Sequence, residues 1–593
     1  MKASDYIADF LVKQGVKYVF GVTGGAIIHL FDSIGKRRDI KYICTQHEQS
    51  AAMAADGYSR MTKNLGVAIA TSGPGATNLI TGTCCSYYDS IPVLTITGQV
   101  STSRLKEDKK VRQIGFQETP ITDMYKPITK YSVIIKNPSQ LRYELEKAVY
   151  IAKSGRPGPV LVDIPDDIQR AEIDPDKLLS YIPKVASINL KYVEGKMKQL
   201  LPLIKKAERP IIILGAGIKL GRCEKEAIDF VKKLNFPVGL TWATKDMLAE
   251  NDELNAGVFG VASPRCGNFA VQNSDLILAL GTRMDQHHTG TPANTFAREA
   301  KKILVEIDED EIKKFNESGL KWDIIINADI NHFLKSANKN SFSTTDVSAW
   351  IKKIKEWKKR YPSCPKRYFK EKEINSYAFI EELSKKTKKG EILVIDTGGT
   401  LAEIMGGYKM NKRQTIFSDL NHTSMGYALP ASIGACFANN KKPVICLIGD
   451  GGIQMNIQEL ATISHYNLPI KIFVFNNKGY GMIQQTQDDW LGSRYEASRG
   501  DKGVAIPNFF KIGKAYKLKA KKIENYRGLN RKLKRILDYN GALLCEVRIS
   551  PFQRIVPMAK AGLPLEDLKP LLPREEFLKN MLIKPLSQSL KNA

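Results

Sequence analysis

Continuous apolar runs, each followed by glycine or a polar residue and then by helical spacing, recur along the chain. Two of them, at 444–448 and 470–475, read Val-Ile-Cys-Leu-Ile and Ile-Lys-Ile-Phe-Val-Phe. Runs of this kind are typical of parallel strands that are buried on both faces. Apolar residues at helical spacing lie between them, so residues 450–477 predict one strand–helix–strand crossover.

Repetition of this unit predicts an α/β protein built from three doubly wound parallel-sheet domains. The expected parts are a first domain at 1–168, a second at 190–340, a third at 372–560 and a tail rich in Pro and Leu at 561–593. Gly24-Gly25 and Gly451-Gly452 each open a helix after a strand, so the first and third domains look like variants of one plan.

Oxygen-bearing side chains end the two runs described first. Asp450 follows one run and Asn477 the other, and the carboxyl ends of adjacent parallel strands form the ligand crevice of open α/β sheets. With the backbone carbonyl near Gly479 they are hard oxygen ligands suited to Mg²⁺. Gly451 and Gly452 can bring backbone N–H groups close to a diphosphate. Either motif alone is often a turn or a helix cap, but the pair at this spacing resembles the thiamine diphosphate signature.

A carboxylate also stands between a strand and a helix, in His47-Glu48-Gln49. Alone, such a residue is usually a charge that interacts with the helix dipole. Thiamine diphosphate, however, must lose a proton from its thiazolium carbon, and its own aminopyrimidine removes it once a carboxylic acid hydrogen-bonds the pyrimidine ring. Glu48 is the candidate for that acid.

The resemblance extends over almost the whole chain. The matching stretches, in the family's order, are 20–25, 47–49, 71–78, 97–100, 115–120, 155–160 and 425–427. Each short glycine motif is weak alone, but seven in order beside the metal pattern are specific. The chain is therefore similar to thiamine diphosphate-dependent decarboxylases and carboligases, and specifically resembles the acetolactate synthase (acetohydroxyacid synthase) large subunit.

The resemblance implies roles for further residues. Glu48, Phe116 and Gln117 are the implied catalytic residues, the last two in activating pyruvate as donor, and Met425 matches the apolar wedge that bends the cofactor. The implied thiamine diphosphate contacts are Gly25, Thr397, Gly398, Thr400, Met425, Gly449, Gly451, Gly452, Gly481 and Met482.

The second domain carries an expectation of another cofactor. Gly215-Ala216-Gly217 follows a strand, which is a weak dinucleotide-type turn and as often structural as functional. The resemblance implies an FAD without a redox role. Its expected site consists of Arg156, Gly215, Gly217, Gly281, Arg283, Asp285, Glu306 and Asp329.

Three departures from the family concern the acceptor substrate. Thr486 stands where the family has a pocket tryptophan, Asp166 replaces a lysine and His287 replaces an arginine. These residues are the expected acceptor pocket, which has more room and fewer cationic groups than the family's.

Three readings follow from these residues. The first is acetolactate synthase chemistry, in which pyruvate loses carbon dioxide and its two-carbon unit joins a second 2-keto acid. The second keeps the pyruvate donor but uses another carbonyl acceptor, such as a keto sugar nucleotide in branched-sugar biosynthesis. The third is a cofactor-binding homologue without turnover, against which Glu48, Asp450 and Asn477 argue. The acceptor and the stereochemistry stay open.

Composition adds expectations about location and partners. The chain has 593 residues, 43% of them hydrophobic, no apolar run of membrane-spanning length and no signal-peptide core, so we expect a cytoplasmic protein without membrane contact. The formal charge of +27 could suggest nucleic acid, but the lysines are scattered and no aromatic–basic RNA motif occurs. The nine cysteines lack Cys-x-x-Cys spacing and indicate reduced core thiols.

The resemblance also implies an assembly. Glu48 and Asp450 of each site would come from different chains, in a homodimer or homotetramer with active sites between subunits. Dimer versus tetramer, a regulatory subunit and the role of the tail stay open.

Overall fold

Three parallel six-stranded sheets organise the protein. The computed structural model describes residues 1–107, 109–184, 190–560 and 562–591, so position 561, the expected start of the tail, lies outside the described residues. We name the N-terminal, central and C-terminal domains after the sheet that each contains. The predicted fold class, α/β with three doubly wound parallel sheets, is confirmed.

The elements follow one another along the chain as strands with helices between them. The N-terminal strands are β1 (Tyr18–Gly21), β2 (Lys41–Cys44), β3 (Gly66–Ala70), β4 (Val93–Gln99), β5 (Tyr131–Ile134) and β6 (Val160–Pro165). The central strands are β7 (Pro210–Leu214), β8 (Val238–Leu240), β9 (Asn255–Val258), β10 (Leu276–Leu280), β11 (Lys301–Glu306) and β12 (Ile324–Asn327). The C-terminal strands are β13 (Ile392–Ile395), β14 (Thr415–Phe417), β15 (Val444–Gly449), β16 (Ile470–Asn476), β17 (Lys519–Ile523) and β18 (Leu543–Arg548).

Helices cover both faces of the sheets. The N-terminal helices are α1 (Ala3–Lys13), α2 (Ile28–Gly35), α3 (Glu48–Thr62), α4 (Pro74–Asn78), α5 (Ile80–Asp89), α6 (Ile121–Tyr125), α7 (Leu141–Lys153) and α8 (Asp166–Arg170). The central helices are α9 (Leu190–Lys206), α10 (Gly217–Leu220), α11 (Glu224–Leu234), α12 (Arg265–Gln272), α13 (Gln286–Thr289), α14 (Glu309–Lys313), α15 (Phe315–Ser318), α16 (Ile330–Ala337) and α17 (Ser348–Arg360). The remaining helices are α18 (Ser376–Lys386), α19 (Gly399–Gly407), α20 (Ala428–Ala438), α21 (Asp450–Met455), α22 (Glu459–His465), α23 (Gly481–Trp490), α24 (Phe509–Ala515), α25 (Leu529–Leu537), α26 (Arg574–Asn580) and α27 (Ser587–Lys591).

The first and third sheets have the same strand order. The first runs β2-β1-β3-β4-β6-β5 and the third β14-β13-β15-β16-β18-β17, so each strand of one has a counterpart in the other. The second sheet runs β12-β11-β10-β7-β8-β9, which is the doubly wound order of dinucleotide-binding folds. The two outer domains are therefore variants of one plan, as the paired glycine turns suggested.

The predicted crossover at 450–477 is present with one difference. β15 and β16 are parallel neighbours, but the connection contains α21 and α22 instead of one helix. Asn456 separates them, because its Nδ2 atom donates to the Gly426 carbonyl at 3.0 Å and its Oδ1 atom accepts from Gln49 and Ser50 at 3.1 Å each. Because Asn456 is hydrogen-bonded to residues of both domains, its backbone does not continue the helix.

Helices α3 and α20 join the N-terminal and C-terminal domains by backbone contact. A Cβ atom on Gly434 would overlap the Ala54 carbonyl oxygen, and one on Gly57 would overlap that of Ala431. Only glycine allows this approach, and it lets residues of both domains share one hydrophobic core. The relative position of the two domains therefore depends on this crossing.

The tail is part of the central domain. Leu565, Leu568 and Phe577 are buried in the core of that domain. The indole N–H of Trp357 donates to Asn580 at 2.8 Å, and Arg265 donates to the Leu568 carbonyl at 2.9 Å. The composition of the tail gave no indication of this docking.

Within the described ranges, none of the helices combines the length and apolar character needed to span a bilayer.

We expect Gly434→Ala to destabilise the protein by about 1–3 kcal/mol or more, because the added methyl group forces α20 away from α3. Gly195 in α9 is the matched control, since no atom of the described residues lies within 4 Å of a Cβ placed there. Gly195→Ala should be neutral or stabilise by about 0.5–1 kcal/mol. Urea unfolding of both variants checks this; equal stability of Gly434→Ala and wild type would contradict the tight crossing.

Candidate active site

Three oxygen atoms converge where β15 and β16 end. Asp450 is buried at the start of α21. The Asn477 amide has its oxygen 3.3 Å from Asp450 Oδ2 and 2.8 Å from the carbonyl oxygen of Gly479; with its oxygen and nitrogen exchanged, the amide would donate to both. Oxygens that face one another without a donor repel, whereas a divalent cation among them would be coordinated by all three. The ligand set predicted from the sequence thus comes together and fits Mg²⁺ in type.

The burial of the Asp450 carboxylate agrees with a bound cation at this position. Burial raises the pKa of Asp450 to about 7, although Gly479 N–H and Gly451 N–H donate to its carboxylate at 3.2 and 2.8 Å. Within the described residues no cluster of three or more His, Cys, Asp or Glu side chains could hold a metal. A metal at this position would therefore rely on one carboxylate supplemented by amide and carbonyl oxygens.

The start of α19 forms an open cradle beside this group. Gly398 has φ of +78° and precedes the helix, and in the part of the chain that the structure describes no atom lies within 4 Å of a Cβ placed on Gly398 or Gly399. Thr397 lies two residues beyond the end of β13, and the Thr400 hydroxyl is 3.4 Å from a Cβ placed on Gly449. Unpaired N–H groups at a helix N-terminus bind phosphate. The cradle fits the diphosphate of the expected cofactor.

The glycines around Asp450 serve packing. A Cβ on Gly452 would overlap the Asp396 carboxylate, and one on Gly451 would overlap the ring of Tyr480. A Cβ on Gly481 would lie 2.5 Å from Asn477 Nδ2. The sequence suggested that Gly451 and Gly452 approach the diphosphate, and the structure adds that neighbouring side chains already require them to be glycine.

The N-terminal candidates surround residues 73–78. Glu48 is the first residue of α3, and its Oε2 atom accepts from Asn78 Nδ2 at 3.0 Å. Gln117 has φ of +64° and packs against Gly73, where a Cβ would lie 3.1 Å from the Gln117 side chain. A non-glycine residue in the left-handed region stores strain, which is common at functional sites.

Two further N-terminal candidates are open. Phe116 is 84% exposed. A Cβ placed on Gly25 has none of the described atoms within 4 Å. Both positions are thus accessible in the single chain.

A cavity of about 390 Å³ lies between the N-terminal and C-terminal domains. It is lined by His47, Gln49, Thr81, Ser424, Met425 and Met455. The neighbours of Glu48 and the Met425 side chain thus meet within one chain. Across the described ranges no hydrogen bond joins Glu48 to Asp450, and the placement of these two residues of one site on different chains stays a prediction.

The residues expected to bind FAD contact one another. Arg156 pairs with Asp308 at 2.9 Å and with Glu311 at 2.8 Å. Arg283 pairs with the same Glu311 at 3.0 Å and donates to Asn421 at 2.9 Å. Both arginines are therefore neutralised by carboxylates of the central domain.

The other expected FAD residues have local partners. A Cβ on Gly215 would overlap the Gly281 carbonyl oxygen, and Gly217 also packs against Gly281. Asp285 caps α13 and Asp329 caps α16, while the Glu306 carboxylate accepts the N–H groups of the two residues that follow it. Burial opposes ionisation of Asp285, but His288 beside it lowers its pKa overall.

The acceptor-pocket candidates are only partly brought together. The His287 ring lies 4.1 Å from that of Trp242, which shares an apolar cluster with Met482. Thr486 is exposed one turn further along α23, and its hydroxyl donates to the Met482 carbonyl at 3.2 Å. Asp166 is elsewhere, beside Ser101 at the start of α8. Burial lowers the pKa of His287 to about 4, so it is neutral at pH 7.

Asp396 is a site residue that the sequence reasoning missed. It follows β13, is buried, and accepts from the N–H groups of Gly426 and Ala428 at 3.1 and 3.0 Å. Its position, directly after an apolar run and before Thr397, is the same signal that identified Asp450. Tyr480 was also missed, and its contact with Gly451 has no sequence signal.

Comparisons with known proteins agree with this arrangement. Three thiamine pyrophosphate enzyme domains match the chain: the N-terminal TPP binding domain at 1–124, the central domain at 197–336 and the C-terminal TPP binding domain at 396–547. The acetolactate synthase large subunit of Cyanidium caldarium is 35% identical, over 94% of this chain and 94% of its own length. The probable acetolactate synthase large subunit of Methanocaldococcus jannaschii is 34% identical, over 95% and 94%. The mitochondrial acetolactate synthase of Schizosaccharomyces pombe is 33% identical, over 94% and 85%.

Glu403 in α19 gives a prediction for pH. It is 6% exposed and burial raises its pKa to about 8, whereas unfolded glutamate titrates near about 4.3. The folded state keeps a proton that the unfolded state releases, so this stability is present below about pH 4 and is lost as pH rises through 8. We expect the Tm of metal-free protein to fall between about pH 5.5 and about pH 8.5, and to fall less in Glu403→Gln. Parallel Tm curves in scanning fluorimetry would contradict this.

Proposed function

The chain belongs to the acetolactate synthase family of thiamine pyrophosphate enzymes, and we propose on this premise that it decarboxylates pyruvate and transfers the two-carbon unit to a second 2-keto acid. The observation that carries the proposal is the convergence of the Asp450, Asn477 and Gly479 oxygens beside the open cradle at Gly398. The comparisons do not favour a keto sugar nucleotide acceptor or a homologue without turnover.

We propose that thiamine diphosphate binds with Mg²⁺ at this place. Asp450, Asn477 and the Gly479 carbonyl would hold the cation, and the N–H groups at the start of α19 would face the diphosphate. When bound, the cofactor supplies an electron sink for the bonding electrons left when pyruvate loses carbon dioxide. The protein groups around it position that chemistry.

Glu48 is the proposed proton-holding group. Asn78 donates to one of its oxygens, which fixes the carboxyl orientation, and among the described residues no side chain donates to the other oxygen, which lies toward Gly75. A carboxylic acid held in this way can share its proton with a ring nitrogen. Phe116 and Gln117 are the residues proposed to activate pyruvate as donor. Gln117 packs against Gly73, in the segment 73–78 that also contains Asn78.

The exposure of these residues supports an assembly. Phe116 is 84% exposed and Met425 36% exposed, although both are expected to contact substrate or cofactor in a site closed to water. A second copy of the chain would cover them. We therefore propose a homodimer or homotetramer with active sites between subunits.

FAD is a proposed second cofactor, supported by the resemblance and by the doubly wound central sheet. The arrangement at Arg156 and Arg283 does not itself favour it, because Glu311 neutralises both. Binding would require the arginines to exchange that carboxylate for the phosphates of the ligand.

We also propose the domain limits 1–168, 190–340 and 372–560, and a cytoplasmic location.

Product analysis tests the proposed activity. Purified protein with thiamine diphosphate and Mg²⁺ should convert two pyruvate molecules to one acetolactate and one carbon dioxide, identified by mass spectrometry. Carbon dioxide without acetolactate, or neither product, would refute the carboligation; adding a panel of other carbonyl compounds then identifies the acceptor. The visible spectrum of the same preparation tests for flavin, and its sedimentation tests for the dimer or tetramer.

Glu48→Gln should lower turnover by about 100-fold or more, because the carboxamide keeps the size of the side chain but cannot relay a proton. Folding and cofactor binding should persist. Asp450→Ala is the contrasting variant, since removing an anionic ligand should abolish cofactor binding in calorimetry. Turnover of Glu48→Gln near that of wild type would exclude the assigned role.

A further inference from the structure

The loop at 418–426, which we call the Met425 loop, has a conformation that its sequence does not favour. Thr423 has φ of +55°, and Gly426 has φ of +86°. A β-branched residue such as Thr423 is a genuine outlier in the left-handed region, and it stays there only where surrounding contacts impose it. The contacts around this loop therefore determine where Met425 lies.

The C-terminal domain supplies some of these contacts. The Asp419 carboxylate accepts from the N–H groups of His422 and Ser424 at 3.2 and 2.8 Å. Asp396 accepts from Gly426 N–H at 3.1 Å, just after Met425. These bonds fix the backbone in the middle and at the end of the loop but leave the His422 and Ser424 side chains to other partners.

Helix α5 of the N-terminal domain supplies those partners. The Tyr88 ring stacks on His422, with centroids 5.4 Å apart and an angle of 14° between the planes. Cys85 Sγ lies 3.2 Å from the Ser424 hydroxyl. The two contacts flank Thr423 on either side.

The end of α5 adds the strongest contact. Asp89 is buried and its carboxylate accepts from Leu420 N–H at 2.9 Å, from Asn421 N–H at 3.1 Å and from the Asn421 side chain at 2.5 Å. Arg60 pairs with the same carboxylate at 2.8 Å. Charge-assisted bonds of this kind are stronger than neutral ones.

These α5 residues share one face. Thr81, which lines the cavity with Met425, precedes Cys85 by four positions, and Cys85 precedes Tyr88 by three. Residues at this spacing lie along one side of a helix. The side chains of that face are thus directed at a single loop of another domain.

We propose that this face of α5 positions Met425 for the cofactor, so that Cys85, Tyr88 and Asp89 are positioning residues. The inference rests on the proposed function, because Met425 matters only if thiamine diphosphate binds beside it. The N-terminal domain would then have two roles, to provide Glu48 and to position Met425. In this proposal Met425 contacts the cofactor and not pyruvate. Substitutions on this face of α5 should therefore change cofactor binding and kcat but not the KM for pyruvate.

Tyr88→Leu is the most informative variant, since Tyr88 is 41% exposed and its removal leaves the core intact. Tyr87→Leu is the matched control, because Tyr87 is adjacent in α5 and meets the Tyr88 ring edge-on at 5.4 Å, whereas within the described ranges the ring that stacks on His422 is that of Tyr88. We expect Tyr88→Leu to keep the Tm of the wild type and to weaken thiamine diphosphate binding. Its kcat should fall by about 10- to 100-fold. Asp89→Asn should do the same or more, and Tyr87→Leu should behave as wild type.

Four measurements on the full-length holoenzyme decide the matter: Tm, cofactor titration by fluorescence, near-ultraviolet circular dichroism of bound cofactor, and the kcat and KM for pyruvate. Wild-type cofactor affinity and kcat in Tyr88→Leu would overturn the positioning role, as would equal losses in Tyr87→Leu. If Asp89→Asn unfolds, Tyr88→Leu alone decides. Failure of the wild type to bind thiamine diphosphate would overturn the proposed function together with this inference, whereas wild-type binding with an unaffected Tyr88→Leu overturns only the inference.

Discussion

The backbone contact between α3 and α20 is the constraint on which the rest of the structure depends. Gly57 and Gly434 allow two helices of different domains to touch without side chains between them. The same α3 begins with Glu48, and α20 follows directly from the loop that contains Met425. Within one chain this crossing thus sets the distance between Glu48 and Met425, which the proposed assembly places in two neighbouring active sites. A methyl group at this crossing would shift both.

Backbone N–H groups bound to buried carboxylates are the second recurring device. Asp396 holds the end of the Met425 loop, Asp419 holds its middle, and Asp89 reaches it from the N-terminal domain. A carboxylate accepts several N–H groups at once, so it can fix an irregular segment that has no secondary structure of its own. Asp450 uses the same chemistry, but its position among other oxygens directs it toward a cation.

Sequence reasoning identified the fold because the buried strands are nearly pure apolar runs, as at β15 and β16, and because motifs at strand ends are local. It brought Asp450, Asn477 and Gly479 to one place for the same reason. The break at Asn456 was not predictable, since its cause is a contact with Gln49 and Ser50, some four hundred positions away. The residues that α5 contacts in the Met425 loop are also distant in the sequence. The spacing of apolar residues shows which face of a helix is buried, but it does not show which segment covers that face.

The docking of residues 562–591 on the central domain has a consequence for synthesis of the chain. Domains generally fold in the order in which they leave the ribosome. Here Leu565, Leu568 and Phe577 complete a core whose strands lie at 210–327. The central domain must therefore wait, with part of its apolar surface uncovered, while the whole C-terminal domain is made. Chaperone binding during translation would act on this surface, and the second domain of the chain would be the last to finish folding.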